Sequence, residues 1–324
     1  MTDRAHHASV LRHMRTTVGL FIIRRKRMEP LKQPLSYENQ IIRLREHHGL
    51  TIGDEDRARV ILSRVNYYRL SAYGIGLKCP DNHEKYLPGI SLERIYRLYR
   101  FDCALRSLLI PVIEEIEIEL RTRIAYQLAM RYGAEGYRDE PHFRVVHMRD
   151  GETVHYSTMR KLGDEIRRQH NLPCVKHHQE KYGGHFPIWA AVELFSFGML
   201  SSLYSIMKWE DQKAVAKTFG VDAPRLNGWI QALTEIRNIC AHYGRIYNMP
   251  LKQAPSLYRE HEDYRGNRLF PRILVMGRML KGHSIWNTFC TSLAGLLEEY
   301  SEVNLGLIGF PNDWQKILEE QQKK

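Results

Sequence analysis

Residues 91–133 read SLERIYRLYRFDCALRSLLIPVIEEIEIELRTRIAYQLAMRYG. Apolar side chains recur at Leu92, Ile95, Leu98, Leu105, Leu108, Leu109, Val112, Ile113, Ile116, Leu120 and Ile124. Steps of three and four residues put them on one helical face, so the segment predicts the longest helix of the chain, over Ser91 to about Arg131. Pro111 removes a backbone donor in its middle and is expected to kink the helix or split it in two. Within it, Glu117 and Arg121 stand four residues apart on one face. The ordinary reading is an i,i+4 ion pair of a few tenths of a kcal/mol; the other is an acid and a base flanking an active site.

The neighbouring segments repeat the helical signal. PLSYENQIIRLREHHGL opens on Ser36 as N-cap and closes on Gly49. DEDRARVILSRVNYYRLSAYGIGL has Asp54 as its cap, with Ala58, Ile61, Leu62, Val65 and Tyr68 at helical spacing. KCPDNHEKYLPG reads as a loop. Residues 132–185 are polar, histidine-rich and glycine-containing, which predicts a surface insertion holding one short helix near 158–170. FPIWAAVELFSFGMLSSLYSIM (186–207) is apolar on most sides and predicts a central helix, with Pro187 in its first turn. DQKAVAKTFG and APRLNGWIQALTEIRNICAHYG are helices closed by glycine. PRILVMGRML and SIWNTFCTSLAGLLEEYSEV are further candidates, and GFPNDW is a turn before a polar tail, 316–324. Strand-like alternation never persists, so the fold class is all-α, one domain over 31–315 with an insertion at 132–185.

The 324 residues are enough to bury one large core, and the composition, 43% hydrophobic, is that of a globular protein. The formal charge of +11 and a pI near 9.4 point to an anionic partner, of which nucleic acid is the commonest. Five scattered cysteines, an odd number with no C-x-x-C pair, suit a reducing compartment. Apolar runs stay far below the roughly 20 residues of a spanning helix. VGLFII (18–23) is followed by RRKR rather than by small cleavage-site residues, so a soluble, cytoplasmic protein with no membrane partner is expected. In residues 1–30, Arg4, Arg12, Arg15, Arg24, Arg25, Lys26 and Arg27 face only Asp3 and Glu29. This extension reads either as a nucleic-acid-binding arm or, the favoured reading, as a disordered leader before a start at Met28.

Cys174, His177, His178 and His185 approach a metal-ligand set, but their spacing lacks the paired pattern of a structural zinc site, and no metal is expected. GxxxxGK, GxGxxG and G-x-S-x-G do not occur, which removes support for a P-loop, a dinucleotide fold or a nucleophile elbow, and no cofactor is expected.

One stretch remains, EIRNICAHYGRIYN, Glu235 to Asn248. Arg237, Asn238 and His242 crowd the end of a helix, and Gly244 stands where it would stop. Cleaving RNA without a metal needs a base for the 2′-hydroxyl, an acid for the departing 5′-oxygen and a cation for the phosphorane. Histidine titrates near neutrality and suits the proton transfers, and arginine suits the phosphate. At about 100° per residue Asn238 and His242 share a face, but Arg237 and His242 lie about 140° apart. One helix therefore aims them imperfectly at one phosphate, and a second copy across a twofold axis would help. A buried Asn–His hydrogen-bond pair capped by glycine is the plain structural alternative, and it stands slightly ahead on the residues alone.

The blocks KQPLSYENQIIRLREHHGL, RVNYYRLSAYG, YRFDCALRSLLIPVIEEIEIELRTRIAY, FPIWAAVELFSFGMLSSLY, IRNICAHYGRIYN and GFPNDW resemble, in order, those of the Abi family of bacterial phage-exclusion proteins, the AbiD/AbiF-like group. That family is grouped with the HEPN superfamily, whose ribonucleases carry an R-x4–6-H motif with a polar residue after the arginine. Arg237, Asn238 and His242 match it position by position. The resemblance implies a HEPN-like four-helix core with additional helices, and a catalytic site completed in a homodimer. It also implies metal-independent endoribonuclease activity in abortive infection, an antiviral toxin's role. Arg237, His242 and Asn238 would be catalytic, with Glu117 and Arg121 in support. A regulatory or guide RNA, or an antitoxin, is a conceivable partner. The alternative is a non-catalytic module that binds RNA or a partner protein with the same residues.

Overall fold

The computed structural model describes residue 31 and residues 33–323, and the basic extension 1–30 lies outside them. The chain folds as helices joined by turns and short 3₁₀ segments, and the described residues contain isolated β-bridges but no strand. Helices α1 (Tyr37–Glu46), α2 (Glu55–Arg64) and α3 (Tyr67–Ser71) form the N-terminal part. Ser36 accepts from the Asn39 amide and Asp54 from the Arg57 amide, as the capping pattern anticipates. The second segment is not one helix. Val65 turns extended and Asn66 starts α3 with a cap of its own, accepting from the Tyr68 amide. The break moves Tyr68 off the apolar face, and it is 86% exposed.

The fold is organised on α4, a single helix over Leu92–Tyr132. Pro111 does not split it. The proline sits on the solvent side, where the carbonyl it leaves unpaired can turn to water. Around α4 pack α7 (Ile188–Ala191), α8 (Phe197–Ile206), α9 (Trp209–Thr218), α10 (Ala223–Ala241), α11 (Phe270–Met279) and α12 (Ser284–Glu299). The 186–207 segment is central, but Phe195 and Ser196 interrupt it, Ser196 capping α8 through the Met199 amide.

Residues 132–185 carry two helices rather than one, α5 (Val154–Arg168) and α6 (Pro173–Tyr182). They are more than a surface excursion: His155, Leu162 and Val175 are buried, and α5 packs on α8. The polar end is α13 (Trp314–Lys323), whose Trp314, Ile317 and Leu318 face inward. Among the described residues no helix is long and apolar enough to cross a membrane.

Candidate functional site

Asp222 caps α10 by accepting from the Arg225 amide, and Pro224 occupies its first turn. Leu226, Trp229, Ile230, Leu233, Ile236 and Cys240 form its buried stripe. Arg237 falls at the border of that stripe and is half-buried, whereas Asn238 and His242 are exposed. The buried Asn–His pair is therefore not what the helix end forms. Glu235 turns the other way and accepts the Lys252 and Gln253 amides at 2.7 and 2.9 Å, holding the return of the chain.

The helix does not end on Gly244 itself. His242 is the C-cap, Tyr243 takes the left-handed turn at φ 56°, and the Gly244 amide reaches back to the Ile239 carbonyl at 2.7 Å. The Tyr243 amide bonds the Cys240 carbonyl, completing a Schellman ending. Glycine is needed at 244 for space, not for its φ: a Cβ there would meet Ile239 Cγ2 at 3.0 Å and the Ile239 carbonyl oxygen at 3.2 Å. A tyrosine in the left-handed region costs about 1 kcal/mol and persists only where surroundings impose it.

The surroundings do. Asp102 on α4, fully buried, accepts the Ile246 amide at 3.1 Å, the Tyr247 amide at 2.8 Å and the Tyr73 hydroxyl at 2.7 Å, and pairs with Arg106. Arg106 also donates to the Gly244 carbonyl at 2.8 Å, and Arg69 on α3 donates to the Tyr243 carbonyl at 2.6 Å. Sequence reasoning missed this clamp. The signal was present in FDCALR, an acid and a base four residues apart inside an apolar run.

Beside the clamp lies an open cleft of about 970 Å³ between α4 and α10. Arg237, Glu117, Arg121, Glu114, Ile118 and Tyr243 are among its lining residues. Glu117 is buried although acidic, because two guanidinium groups face it. Arg121 bonds one carboxylate oxygen, and Arg237 Nε stands 3.4 Å from the other. Arg121 also donates to the Phe195 carbonyl at 2.8 Å and, at longer range, to those of Val192 and Glu193. It ties α4 to the interruption before α8, so Glu117–Arg121 is no loose surface pair. Arg237 Nη1 makes a long contact, 3.4 Å, to the Asn238 side chain, and Nη2 is uncommitted among the described residues. Cys240 also lines the cleft, but burial pushes its thiol up to about 12, which removes it as a nucleophile.

Arg237, Glu117 and Arg121 are thus brought together. His242 is not joined to them: its neighbours Ala241 and Tyr243 line the cleft, while its own side chain stands outside the lining. Among the described residues no ion pair or hydrogen bond links Arg237 to His242.

The histidine cluster of α6 has other engagements. His178 Nδ1 donates to the Cys174 carbonyl at 2.8 Å and its ring stacks on Phe186, and His185 faces Glu135 at 2.9 Å. Among the described residues no group of three or more His, Cys, Asp or Glu could hold a metal ion.

The sequence model of the family described as Abi-like protein matches residues 60–248. The match runs from the second half of α2 through α10 and takes in every side chain of the cleft and clamp named above. No curated protein and no solved structure matches the chain.

Proposed function

The chain belongs to the Abi-like protein family, and from that premise we propose that it is an endoribonuclease of the HEPN type acting in abortive infection. One observation carries the reading: Arg237 is held in the α4–α10 cleft by a buried carboxylate, with Nη2 uncommitted, at the end of the helix that carries His242. An isolated surface arginine would need no such support. Guanidinium held in advance suits a phosphate whose charge grows in the transition state.

In this reading a histidine takes the proton of the ribose 2′-hydroxyl. The 2′-oxygen attacks phosphorus, the bond to the 5′-oxygen breaks, and a second proton donor protonates the leaving oxygen. Arg237 binds the phosphate and Asn238 contacts it or Arg237. The products are a 2′,3′-cyclic phosphate and a 5′-hydroxyl.

Each chain carries one His242, outside the lining of its cleft, and the chemistry asks for a base and an acid. A homodimer with two α10 ends facing each other supplies the second histidine. Support comes from exposed apolar side chains on the elements around the cleft: Ile118, which lines it, Tyr126 and Met130 on α4, and Trp189 on α7, which packs on α4. Light scattering that finds a fully active monomer would refute the dimer.

The test is cleavage of end-labelled RNA by purified protein in EDTA. Arg237→Ala and His242→Ala should each lower the rate by about 10²- to 10⁴-fold, His242→Ala with an unchanged melting transition and Arg237→Ala with one still cooperative but lowered, because Glu117 loses a partner. Strict dependence on magnesium, or full activity in both variants, rejects the mechanism. Stoichiometric RNA binding without fragments assigns the residues to a non-catalytic RNA-binding module instead.

A further inference from the structure

A second groove, of about 1000 Å³, opens between α1, α2 and α3. Three tyrosines line it: Tyr67 half-buried, Tyr37 and Tyr68 exposed. Tyr68 gains almost nothing from the core, and the Asn66 cap, accepting the Tyr68 amide at 2.7 Å, fixes the backbone that presents its ring to solvent. His48, also in the lining, has its ring 6.3 Å from that of Tyr67.

The charge of this groove is one-sided. Arg43, Arg64 and Lys78 line it and pair with no carboxylate among the described residues. Neighbouring arginines are paired, Arg45 with Glu55 and Arg59 with Asp56. Glu38, the acid among the lining residues, is taken by Arg59 at 2.9 Å. Burial, helped by the nearby cations, pushes the His48 imidazole below its usual range, so at neutral pH it contributes a flat ring and no charge.

Flat faces interleaved with uncompensated cations fit a polyanion that carries planar groups of its own. Single-stranded nucleic acid is that ligand; a duplex keeps its base faces stacked inside. A hydrogen bond links the α3 wall of the groove to the cleft. Arg69, the residue after Tyr68, donates to the carbonyl of Tyr243, which lines the cleft and is 70% exposed. Residues 1–30 are a poor occupant, since their net charge has the same sign as the groove.

We propose that the α1–α3 groove holds an unpaired stretch of the same RNA whose scissile phosphate lies against Arg237, with bases stacked on Tyr68 and Tyr37 and phosphates met by Arg43, Arg64 and Lys78. This rests on the ribonuclease reading for the identity of the ligand, but its test needs no turnover. Full-length protein carrying His242→Ala keeps the RNA intact, and a 5′-fluorescein 20-nucleotide RNA is followed by anisotropy beside a duplex of equal length. Adding Tyr68→Ala should weaken single-strand binding about 5-fold or more, and Tyr68→Phe should restore it. Adding Arg43→Ala and Arg64→Ala should reduce the slope of log affinity against log salt by about 1.4. Duplex affinity should not respond to Tyr68→Ala. Equal single-strand affinity in the parent and Tyr68→Ala, with an unchanged melting transition, overturns the groove, and so does duplex binding as tight as single-strand binding. Failure of the wild-type chain to cleave any RNA sinks the ribonuclease reading alone and leaves the anisotropy result standing.

Discussion

Asp102–Arg106 and Glu117–Arg121 are the same local device, an acid and an arginine one helical turn apart, placed fifteen residues from each other on α4. Their third partners separate them. Asp102 and Arg106 close on the backbone of residues 244–247, so both charges are absorbed in holding a loop. Glu117 and Arg121 close on one another and on the carbonyls before α8, and Glu117 keeps an oxygen for Arg237. One pair shapes the turn after His242; the other presents a cation to the cleft. An i,i+4 pair alone is worth a few tenths of a kcal/mol. What each is for depends on what the rest of the fold brings to it.

That contrast can be broken most sharply at Asp102. Asp102→Ala leaves Arg106 and two amides without their buried acceptor, and urea unfolding should show a loss of about 3–5 kcal/mol. A loss below about 1 kcal/mol would show that the clamp is not structural.

The opposite signature is expected at Glu117. Glu117→Gln should lower kcat about 10-fold or more in RNA cleavage while unfolding stability falls by about 1–2 kcal/mol. Glu117→Asp should recover part of the rate. An unaltered kcat with lost stability would make the second pair a copy of the first.

Gly244→Ala probes the turn that both pairs flank. The added methyl meets Ile239, and stability should drop by about 1–3 kcal/mol in thermal unfolding. The smallest effect belongs to Tyr243→Gly, which relieves the left-handed tyrosine and should change stability by less than about 1 kcal/mol, in the stabilising direction. Cleavage should nonetheless fall. A variant equally active and more stable would mean that the tyrosine is held there for no catalytic reason.

How much of this was legible beforehand differs from place to place. Ser36, Asp54 and the apolar stripe of 91–131 announced their helices because caps and periodicity are local properties. Pro111 left both a kink and a split open, and only the structure, in which it faces solvent, shows that the helix is not split. Tyr68 misled: spacing assigned it to a core face, but the break at Val65 rotated it into solvent. The motif residues Arg237, Asn238 and His242 were visible from spacing and resemblance. That Glu117 meets Arg237 was not, because 120 residues of chain separate them.

Hydrophobic periodicity and capping are written in neighbours three and four residues apart, and they were enough to make the fold all-α; the family resemblance, not periodicity, singled out the end of α10 as the candidate site. The partners of each buried charge are chosen across the chain, by which helices pack on α4. Only that packing sets Arg237 against a buried carboxylate, locks residues 244–247 with Asp102 and Arg106, and leaves His242 outside the lining of the cleft. A buried charge must be answered by whatever the fold brings within about 4 Å, and that answer is not a property of any one segment.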